Sequence, residues 1–271
     1  MEEQTPRIAL AANRHLGYQA LHTLLDAGIT PCAVLLAKGR SADQWADQME
    51  QTVRNLDQDV PVIRGKQFRE PEGITQIQAI DPDYIVSVHF PYIVPAEVLA
   101  VPRIGTLNLH PAYLPYNRGW HTPSWAIADG TPYGATLHWM DEGVDTGDIA
   151  LQRQVRVLPD DTADSLYQRV LEVELEVFRE AIPYLSSRTL PRLPQAGRGT
   201  AHSKRDLANR QQLALDRPQT IRQTIRTLRA LTTNSWDEAA YFEQDGVKYR
   251  VQVVIQKEEI ESQQDSARKA A

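Results

Sequence analysis

The chain has 271 residues, of which 42% are hydrophobic and 24% charged, with a formal net charge of −6 and a pI near 5.7. That length allows one ordinary domain with a smaller addition, and the composition excludes a disordered or fibrous chain. The acidic balance excludes a general nucleic-acid binder, which needs clustered Lys and Arg side chains to neutralise phosphates, but it leaves room for a local basic patch.

Cysteine usage and the first residues bear on the cellular compartment. Cys32 is the single cysteine and precedes the apolar run Ala33–Leu36. This pattern predicts a buried strand without an intrachain disulfide and favours a reducing, cytoplasmic location. Residues 1–6 carry acid and no apolar core, so we expect neither a signal nor a transit peptide, and no apolar run reaches the length of a membrane span.

The first part of the chain alternates between two kinds of pattern. Short apolar runs occupy residues 7–12, 31–36, 61–63, 84–89, 105–110 and 134–140, and helical spacing occupies residues 16–27, 41–56, 73–80 and 122–129. Such alternation predicts an α/β fold with a Rossmann-like, mainly parallel sheet covered by helices. Loops at the ends of such strands are where a functional site is expected.

The second part of the chain indicates a smaller domain. A long amphipathic helix is predicted over residues 162–186, and a segment rich in Pro and Gly follows it, so we place a domain boundary near residue 190. A helix beginning at Pro218 and a hairpin around Asp245-Gly246 then predict a small α+β domain over residues 191–271. The apolar face of the hairpin is expected to cover the main domain or a partner chain, and residues 257–271 are expected to form a mobile tail.

The densest group of chemically active residues lies in the stretch Asn108-Leu-His110-Pro-Ala-Tyr-Leu-Pro-Tyr-Asn-Arg118-Gly119. Asn108 and His110 are two residues apart on a predicted strand, so they project from the same face. Downstream, Met140-Asp-Glu-Gly-Val-Asp145-Thr-Gly-Asp148 predicts a turn from which Asp145 can point back. An amide, an imidazole and a carboxylate are therefore expected in one pocket.

Each member of this group also has a plainer interpretation. A histidine before proline can be satisfied by backbone groups, Asn108 can cap a turn, and an aspartate before Thr-Gly is a common turn former. A metal site using His121, His138 and Asp148 is a further alternative, but their spacing matches no common zinc arrangement.

Together, these two stretches resemble the formyltransferases that take a formyl group from 10-formyltetrahydrofolate. The resemblance covers about residues 7–190 and implies that Asn108, His110 and Asp145 are catalytic. In formyl transfer, an asparagine amide donates to the tetrahedral oxyanion, and a histidine binds the same oxygen or moves a proton. Asp145 is expected to orient His110 and raise its pKa, and no metal or covalent nucleophile is required.

The resemblance also implies where the folate co-substrate binds. Its pterin ring is expected to contact backbone groups of two segments beside apolar side chains. The residues expected to contribute are Val88, His89, Phe90, Tyr92, Ile93, Val94, Asp141 and Gly143. Packing in the core is the alternative for Phe90 and Tyr92.

Among the formyltransferases, the sequence most resembles those that act on nucleotide-linked amino sugars. Purine-pathway enzymes usually end near the long helix, and formyltetrahydrofolate hydrolases usually carry an extra domain before the core, so both are disfavoured. The stretch after Pro115 and the C-terminal hairpin are similar to the sugar enzymes, in which the hairpin commonly forms a homodimer. The residues expected near the sugar are Tyr113, Tyr116, Asn117, Arg118 and Trp120, with Arg14, Arg40 and Arg118 as candidates for the diphosphate.

Three other functions remain open at this point. Methionyl-tRNA formyltransferases also have a C-terminal domain, and the arginines after residue 200 fit either tRNA contact or a solvated helix face. A folate-binding scaffold without turnover is disfavoured by the intact Asn108, His110 and Asp145. A nucleic-acid module on the hairpin lacks the expected basic and aromatic interleaving.

Overall fold

A computed structural model describes residues 5–39 and 43–259 of the chain. The strands are β1 (Ile8–Ala12), β2 (Ala33–Leu36), β3 (Val62–Arg64), β4 (Tyr84–Val88), β5 (Gly105–His110), β6 (Arg118–Gly119), β7 (Tyr133–Trp139), β8 (Ile149–Val155), β9 (Ala201–His202), β10 (Ala240–Gln244) and β11 (Val247–Val251). The helices are α1 (Arg14–Asp26), α2 (Gln44–Arg54), α3 (Pro71–Ile80), α4 (Ala96–Leu99), α5 (Thr122–Asp129), α6 (Ala163–Ser187) and α7 (Ile221–Ala230).

The central sheet has the strand order β3-β2-β1-β4-β5-β7-β8. The first five strands in this order run parallel, whereas β7 pairs antiparallel with both β5 and β8. The predicted Rossmann-like, mainly parallel sheet is therefore confirmed. The antiparallel edge was not predicted, because β8 carries polar residues over much of its length and gives no continuous apolar run.

Both faces of the sheet are covered, as the continuous apolar runs require. Along β1, Ile8, Leu10 and Ala12 pack into one core cluster, and Ala9 and Ala11 pack into the cluster on the opposite face. Helix α6 lies over the first face, and its capping box at Thr162 fixes the point at which the helix begins. The sheet is thereby held between two apolar layers.

The C-terminal region contains α7 and a two-stranded hairpin of β10 and β11. Asp245 and Gly246 have φ values of 50° and 74°, as a type I′ turn requires at both central positions. Ala240 at the start of the hairpin is buried beside Trp125 of α5. Val247 and Tyr249 are 48% and 46% exposed, so this face of the hairpin does not cover the main domain.

Several sequence predictions have other outcomes in the structure. Cys32 lies one residue before β2 and is half-buried, so it is not inside a buried strand. Arg40 and most of the predicted mobile tail fall outside the described residues. The domain boundary near residue 190 stays a prediction. In the part of the chain that the structure describes, no helix is long and apolar enough to span a membrane.

Candidate active site

Three side chains that converge at the end of β5 form the centre of the site. Asn108 and His110 alternate along β5, and His138 lies directly opposite Asn108 in the antiparallel partner β7. Asn108 Nδ2 is 3.3 Å from His138 Nε2. Because β5 ends before Pro111, which has no backbone N–H to extend the ladder, the next residues turn away and leave this strand end open.

Asp145 completes the group from the loop between β7 and β8. Its carboxylate oxygens lie 3.5 Å from His110 Nε2 and 3.4 Å from His138 Nε2, and one of them accepts a hydrogen bond of 2.9 Å from Gly119 N. Asp145 has a left-handed φ of 54°, which turns its side chain back towards β5. The structure thus brings together the three residues that the sequence predicted and adds His138.

The loop that carries Asp145 is fixed by a chain of polar contacts. Gln195 Nε2 donates to the carbonyl oxygens of Asp145 and Gly147 at 2.8 Å each, and Gln195 Oε1 accepts from the Arg118 guanidinium. Within the loop, Asp141 accepts from Gly143 N and Thr146 Oγ1. Arg118, Asp141 and Gly143 therefore hold the loop that positions the Asp145 carboxylate.

Burial decides the charge state of His110. His110 is 7% exposed, and this burial lowers the pKa of its imidazole below the ordinary value, although Asp145 opposes the shift. Asp145 raises the pKa of His110, as expected, but the desolvation penalty on the imidazolium is larger, so the net shift is downward. His110 is neutral at pH 7.

Hydrogen bonding also sets which nitrogen of His110 carries the proton. The ring is hydrogen-bonded to the backbone of Asn117, whereas within the described residues Nε2 is buried without a hydrogen-bond partner. A neutral imidazole that donates from Nδ1 leaves a lone pair on Nε2. That lone pair can accept a proton beside Asp145.

Asp145 remains ionised in this setting. Burial alone would raise the pKa of Asp145, but the neighbouring imidazoles and the Gly119 N–H hold it well below its usual range. A buried carboxylate of this kind stabilises a positive charge that develops on either imidazole. The arrangement can therefore accept a proton at His110 and stabilise the resulting imidazolium.

His138 is a functional candidate that the sequence analysis considered only as a metal ligand. Its Nδ1 lies 2.9 Å from the carbonyl oxygen of Trp139, so in the Nδ1-protonated tautomer Nε2 accepts from the Asn108 amide. This contact orients the amide towards the strand end. His138 is identified by the antiparallel register between β5 and β7, which cannot be inferred from sequence spacing.

A cleft of about 800 Å³ opens beside these residues, and Asn108 and His110 form part of its wall. His89, Phe90 and Pro91 at the end of β4 line it, as does Trp120. His121 and Glu238, 3.7 Å apart, place the C-terminal region at the same cleft. The cleft is thus bordered by both parts of the chain.

The residues predicted to bind folate divide into two groups. His89 and Phe90 line the cleft. Val88 and Val94 are buried in the core, Ile93 is 81% exposed, and the Tyr92 hydroxyl bonds to the backbone of Lys38. Val88 packs in the core cluster beneath α6, whereas Tyr92 and Val94, which follow β4, pack in the cluster on the opposite face of the sheet.

The residues predicted near the sugar are likewise separated by the structure. Trp120 lines the cleft and is 51% exposed, whereas Tyr113, Tyr116 and Arg118 are half-buried and do not line it. Asn117 is completely buried, and its amide group bonds to Thr131 and to the carbonyl oxygen of Pro132. A direct contact of Asn117 with substrate is therefore wrong, since its side chain holds the loop together.

A second pair of polar side chains lies under the cleft. His89 Nε2 is 3.1 and 3.2 Å from the two carboxylate oxygens of Glu174, which is completely buried on α6. A buried carboxylate is stable only with such a partner. Of the residues considered for a metal site in the sequence, His121 contacts Glu238 and His138 contacts Asp145. No metal-holding group of His, Cys, Asp or Glu occurs among residues 5–39 and 43–259.

Gly119 offers a test of how the Asp145 loop is held. It has a φ of 91°, and a Cβ there would lie 2.3 Å from the carbonyl oxygen of His202. We expect Gly119→Ala to lower the free energy of unfolding by about 1–3 kcal/mol through strain and to weaken the N–H contact with Asp145. Thermal unfolding and turnover are the measurements.

Gly130→Ala is the matched control, because Gly130 has a φ of 68° but nothing within 4 Å of the added Cβ. It carries backbone strain without the collision. Equal stability and equal turnover in the two variants would contradict the proposed role of Gly119.

Comparison with known proteins gives the family of the chain. The formyl transferase family model matches residues 26–182, and the model of the N-formyltransferase dimerization C-terminal domain matches residues 206–257. A methionyl-tRNA formyltransferase from Geobacter sulfurreducens is 31% identical over 192 residues, which cover 70% of this chain and 61% of that protein. The chain thus spans about three fifths of the length of this curated relative.

Solved structures match over more of their length. A sugar N-formyltransferase from a Shewanella species is 21% identical with a TM-score of 0.79, covering 94% of this chain and 99% of that chain, which shows a shared fold. The formyltransferase PseJ from Anoxybacillus kamchatkensis was solved with UDP-4,6-dideoxy-4-formamido-L-AltNAc and tetrahydrofolate. It is 25% identical with a TM-score of 0.51, covering 65% of this chain and 88% of that chain. With its family model matched over more than half of the sequence, this chain belongs to the formyl transferase family.

Proposed function

We propose that this protein transfers a formyl group from 10-formyltetrahydrofolate to the amine of a nucleotide-linked amino sugar. The observation that carries the proposal is the position of Asn108 and His110 in the wall of one large cleft, with Asp145 behind His110. These groups provide a hydrogen-bond donor for the oxyanion, a neutral proton acceptor, and a negative charge that stabilises the acceptor once it is protonated.

The reaction follows from these groups without a covalent intermediate on the protein. The acceptor amine attacks the formyl carbon, and the carbonyl electron pair moves to oxygen, where the Asn108 amide donates to it. His110 Nε2 takes the proton from the attacking nitrogen, and Asp145 stabilises the imidazolium. The bond from carbon to the folate N10 then breaks, N10 receives that proton, and the products are a formamide and tetrahydrofolate.

The folate co-substrate is assigned to the part of the cleft at the end of β4. His89, Phe90 and Pro91 lie there beside Asn108. Exposed backbone groups at a strand end and an aromatic ring suit a flat heterocycle with several donors and acceptors. PseJ was solved with tetrahydrofolate, which supports this part of the proposal.

The C-terminal region favours a nucleotide sugar over a tRNA as acceptor. The match to the N-formyltransferase dimerization C-terminal domain over residues 206–257 supports this choice. On α7, Arg229 bonds to the carbonyl oxygens of Asp161 and Leu158, so it is used within the chain. Arg229 is therefore not free to contact a tRNA.

The formylation assay tests this function directly. We expect release of tetrahydrofolate and a formamido product with at least one member of a panel of dTDP-, UDP- and GDP-linked amino sugars. Methionyl-tRNA serves as a parallel acceptor and should not be formylated. Turnover only with methionyl-tRNA, or no turnover with any acceptor, would contradict the proposal.

We further propose a homodimer formed through the hairpin, in the reducing cytoplasm that the single Cys32 favours. Val247 and Tyr249 are exposed apolar residues on one face of β11, in a region that matches a dimerization domain family. The wild type is expected at twice 30.6 kDa in solution. Tyr249→Asp should shift it towards the monomer mass, because a carboxylate in an apolar interface is costly.

Light scattering or sedimentation at micromolar concentration measures this shift. Gln76→Asp on α3 is the control, since it adds the same charge at an exposed position outside the hairpin. A monomeric wild type, or a Tyr249→Asp variant of unchanged dimer mass, would count against the interface.

A further inference from the structure

One wall of the cleft carries polar groups that the proposed chemistry does not use. Trp120, Ser124 and Lys204 line the same cleft as Asn108 and His110, but they come from the segment before α5, from α5 itself and from the segment after β9. Lys204 Nζ lies 5.2 Å from the centre of the Trp120 ring. A cation and an exposed aromatic face therefore stand side by side in the wall.

The N-terminus of α5 points to an anion at this wall. Thr122, Pro123 and Ser124 form its first turn and line the cleft, and no side-chain hydrogen bond caps the helix at His121. The first backbone N–H groups of a helix favour negative charge. This feature alone would not define a binding site.

Ser124 supplies a second and independent observation. The residue is 1% exposed, and within the described residues its Oγ has no hydrogen-bond partner. It also borders a small cavity between α5 and α7, so it lies between that cavity and the cleft. A buried hydroxyl without a partner is costly unless a ligand or water satisfies it.

Among the charged side chains of this wall, Lys204 is the cation best placed to bind an anion. Lys204 is exposed and makes no ion pair among the described residues, while the other basic side chain of the cleft, Arg14, bonds to the Tyr167 hydroxyl. Glu238, the acidic group on this side, faces His121 at 3.7 Å. His121 also bonds to the backbone of Lys204, which ties this segment to the start of α5.

We propose that Lys204 and Ser124, together with the N-terminus of α5, bind the diphosphate of a nucleoside diphosphate, and that Trp120 covers the adjoining base. The inference rests on the proposed function, because it assigns the acceptor's nucleotide part to this wall. An acceptor bound across the cleft then has its diphosphate at Lys204 and its amine at His110. The paired ammonium and helix N–H groups match a phosphate, and the exposed indole face matches a base.

Calorimetric titration of the full chain with dTDP and with UDP tests this subsite. Lys204→Ala should raise the Kd about tenfold to hundredfold, as loss of a hydrogen bond to a charged group does. Ser124→Ala should raise it about threefold to tenfold, as loss of a neutral hydrogen bond does, without lowering the melting temperature, since no protein contact is removed. Trp120→Ala should weaken binding, and Trp120→Phe should restore most of it.

Lys66→Ala is the control, because Lys66 is exposed and lies outside the cleft. The subsite is overturned when the wild type binds neither nucleotide, or when Lys204→Ala or Ser124→Ala binds dTDP as the wild type does. The formylation panel is run in parallel to separate the two proposals. If dTDP binding depends on Lys204 but no amino sugar is formylated, the subsite is supported and the proposed acceptor is contradicted. If an amino sugar is formylated but dTDP binding does not depend on Lys204, the acceptor is supported and the subsite is contradicted.

Discussion

Replacing His110 with alanine is expected to lower kcat about a hundredfold to ten-thousandfold, the usual effect of removing a general acid or base. The physical reason is that Nε2 is the buried, unpartnered nitrogen beside Asp145 and carries the neutral lone pair that accepts the proton of the amine. Single-turnover formylation, measured with the amino sugar that the panel identifies, separates this chemical step from binding and product release.

His15→Ala is the control for the His110 variant. His15 is exposed, packs against Trp45 and does not line the cleft, so its removal should leave kcat near the wild-type value. Circular dichroism of both variants checks that they remain folded. A folded His110→Ala variant with near-normal turnover would refute the assignment of the proton acceptor.

Replacing Asp145 with asparagine is expected to lower kcat about tenfold to a thousandfold, because the imidazolium formed at His110 loses its counter-charge. The amide retains an oxygen for the Gly119 N–H, so the loop geometry should be preserved. The loss should therefore fall mainly on kcat, with little change in the KM for either substrate.

The pH profile gives a second readout for Asp145. His110 has a pKa below its ordinary value of 6.5, so the wild type should lose activity only as the pH falls below that value and Nε2 becomes protonated. Asp145 is the main group that raises the pKa of His110. Removing its charge should therefore move the acid limb to lower pH, and an acid limb that stays in place would contradict the pairing.

Asn117 shows how a residue of the right motif can have a role that spacing does not disclose. Its polar side chain, next to Arg118 and Gly119, suggested contact with a sugar. The structure gives it a left-handed φ of 59° and a fully buried amide, and its backbone bonds to His110. Its contribution to the site is to hold the imidazole, and this follows only from the path of the loop.

The same contrast applies to the electrostatics of the centre. The predicted turn and the family resemblance were enough to expect that Asp145 raises the pKa of His110, and the direction of that influence is as expected. The net pKa is lower because burial outweighs one neighbouring charge, and burial is a property of the packed core.

The sequence by itself determined the elements whose signals are local. Apolar runs and helical spacing predicted β5, α5 and the long α6, and Asp245-Gly246 predicted the hairpin turn, because each depends on residues within a few positions of one another. Strand alternation also placed Asn108 and His110 on one face. These features are set by backbone periodicity and turn chemistry.

Only the tertiary structure decided what surrounds these residues. The register of β7 against β5 brought His138 to Asn108, and the packing of α6 against the sheet brought Glu174 to His89. The return of the chain after β9 brought Lys204 to Trp120. Such pairs are tens of residues apart in sequence, and their contact depends on how sheet, helices and the C-terminal region pack, which no local pattern specifies.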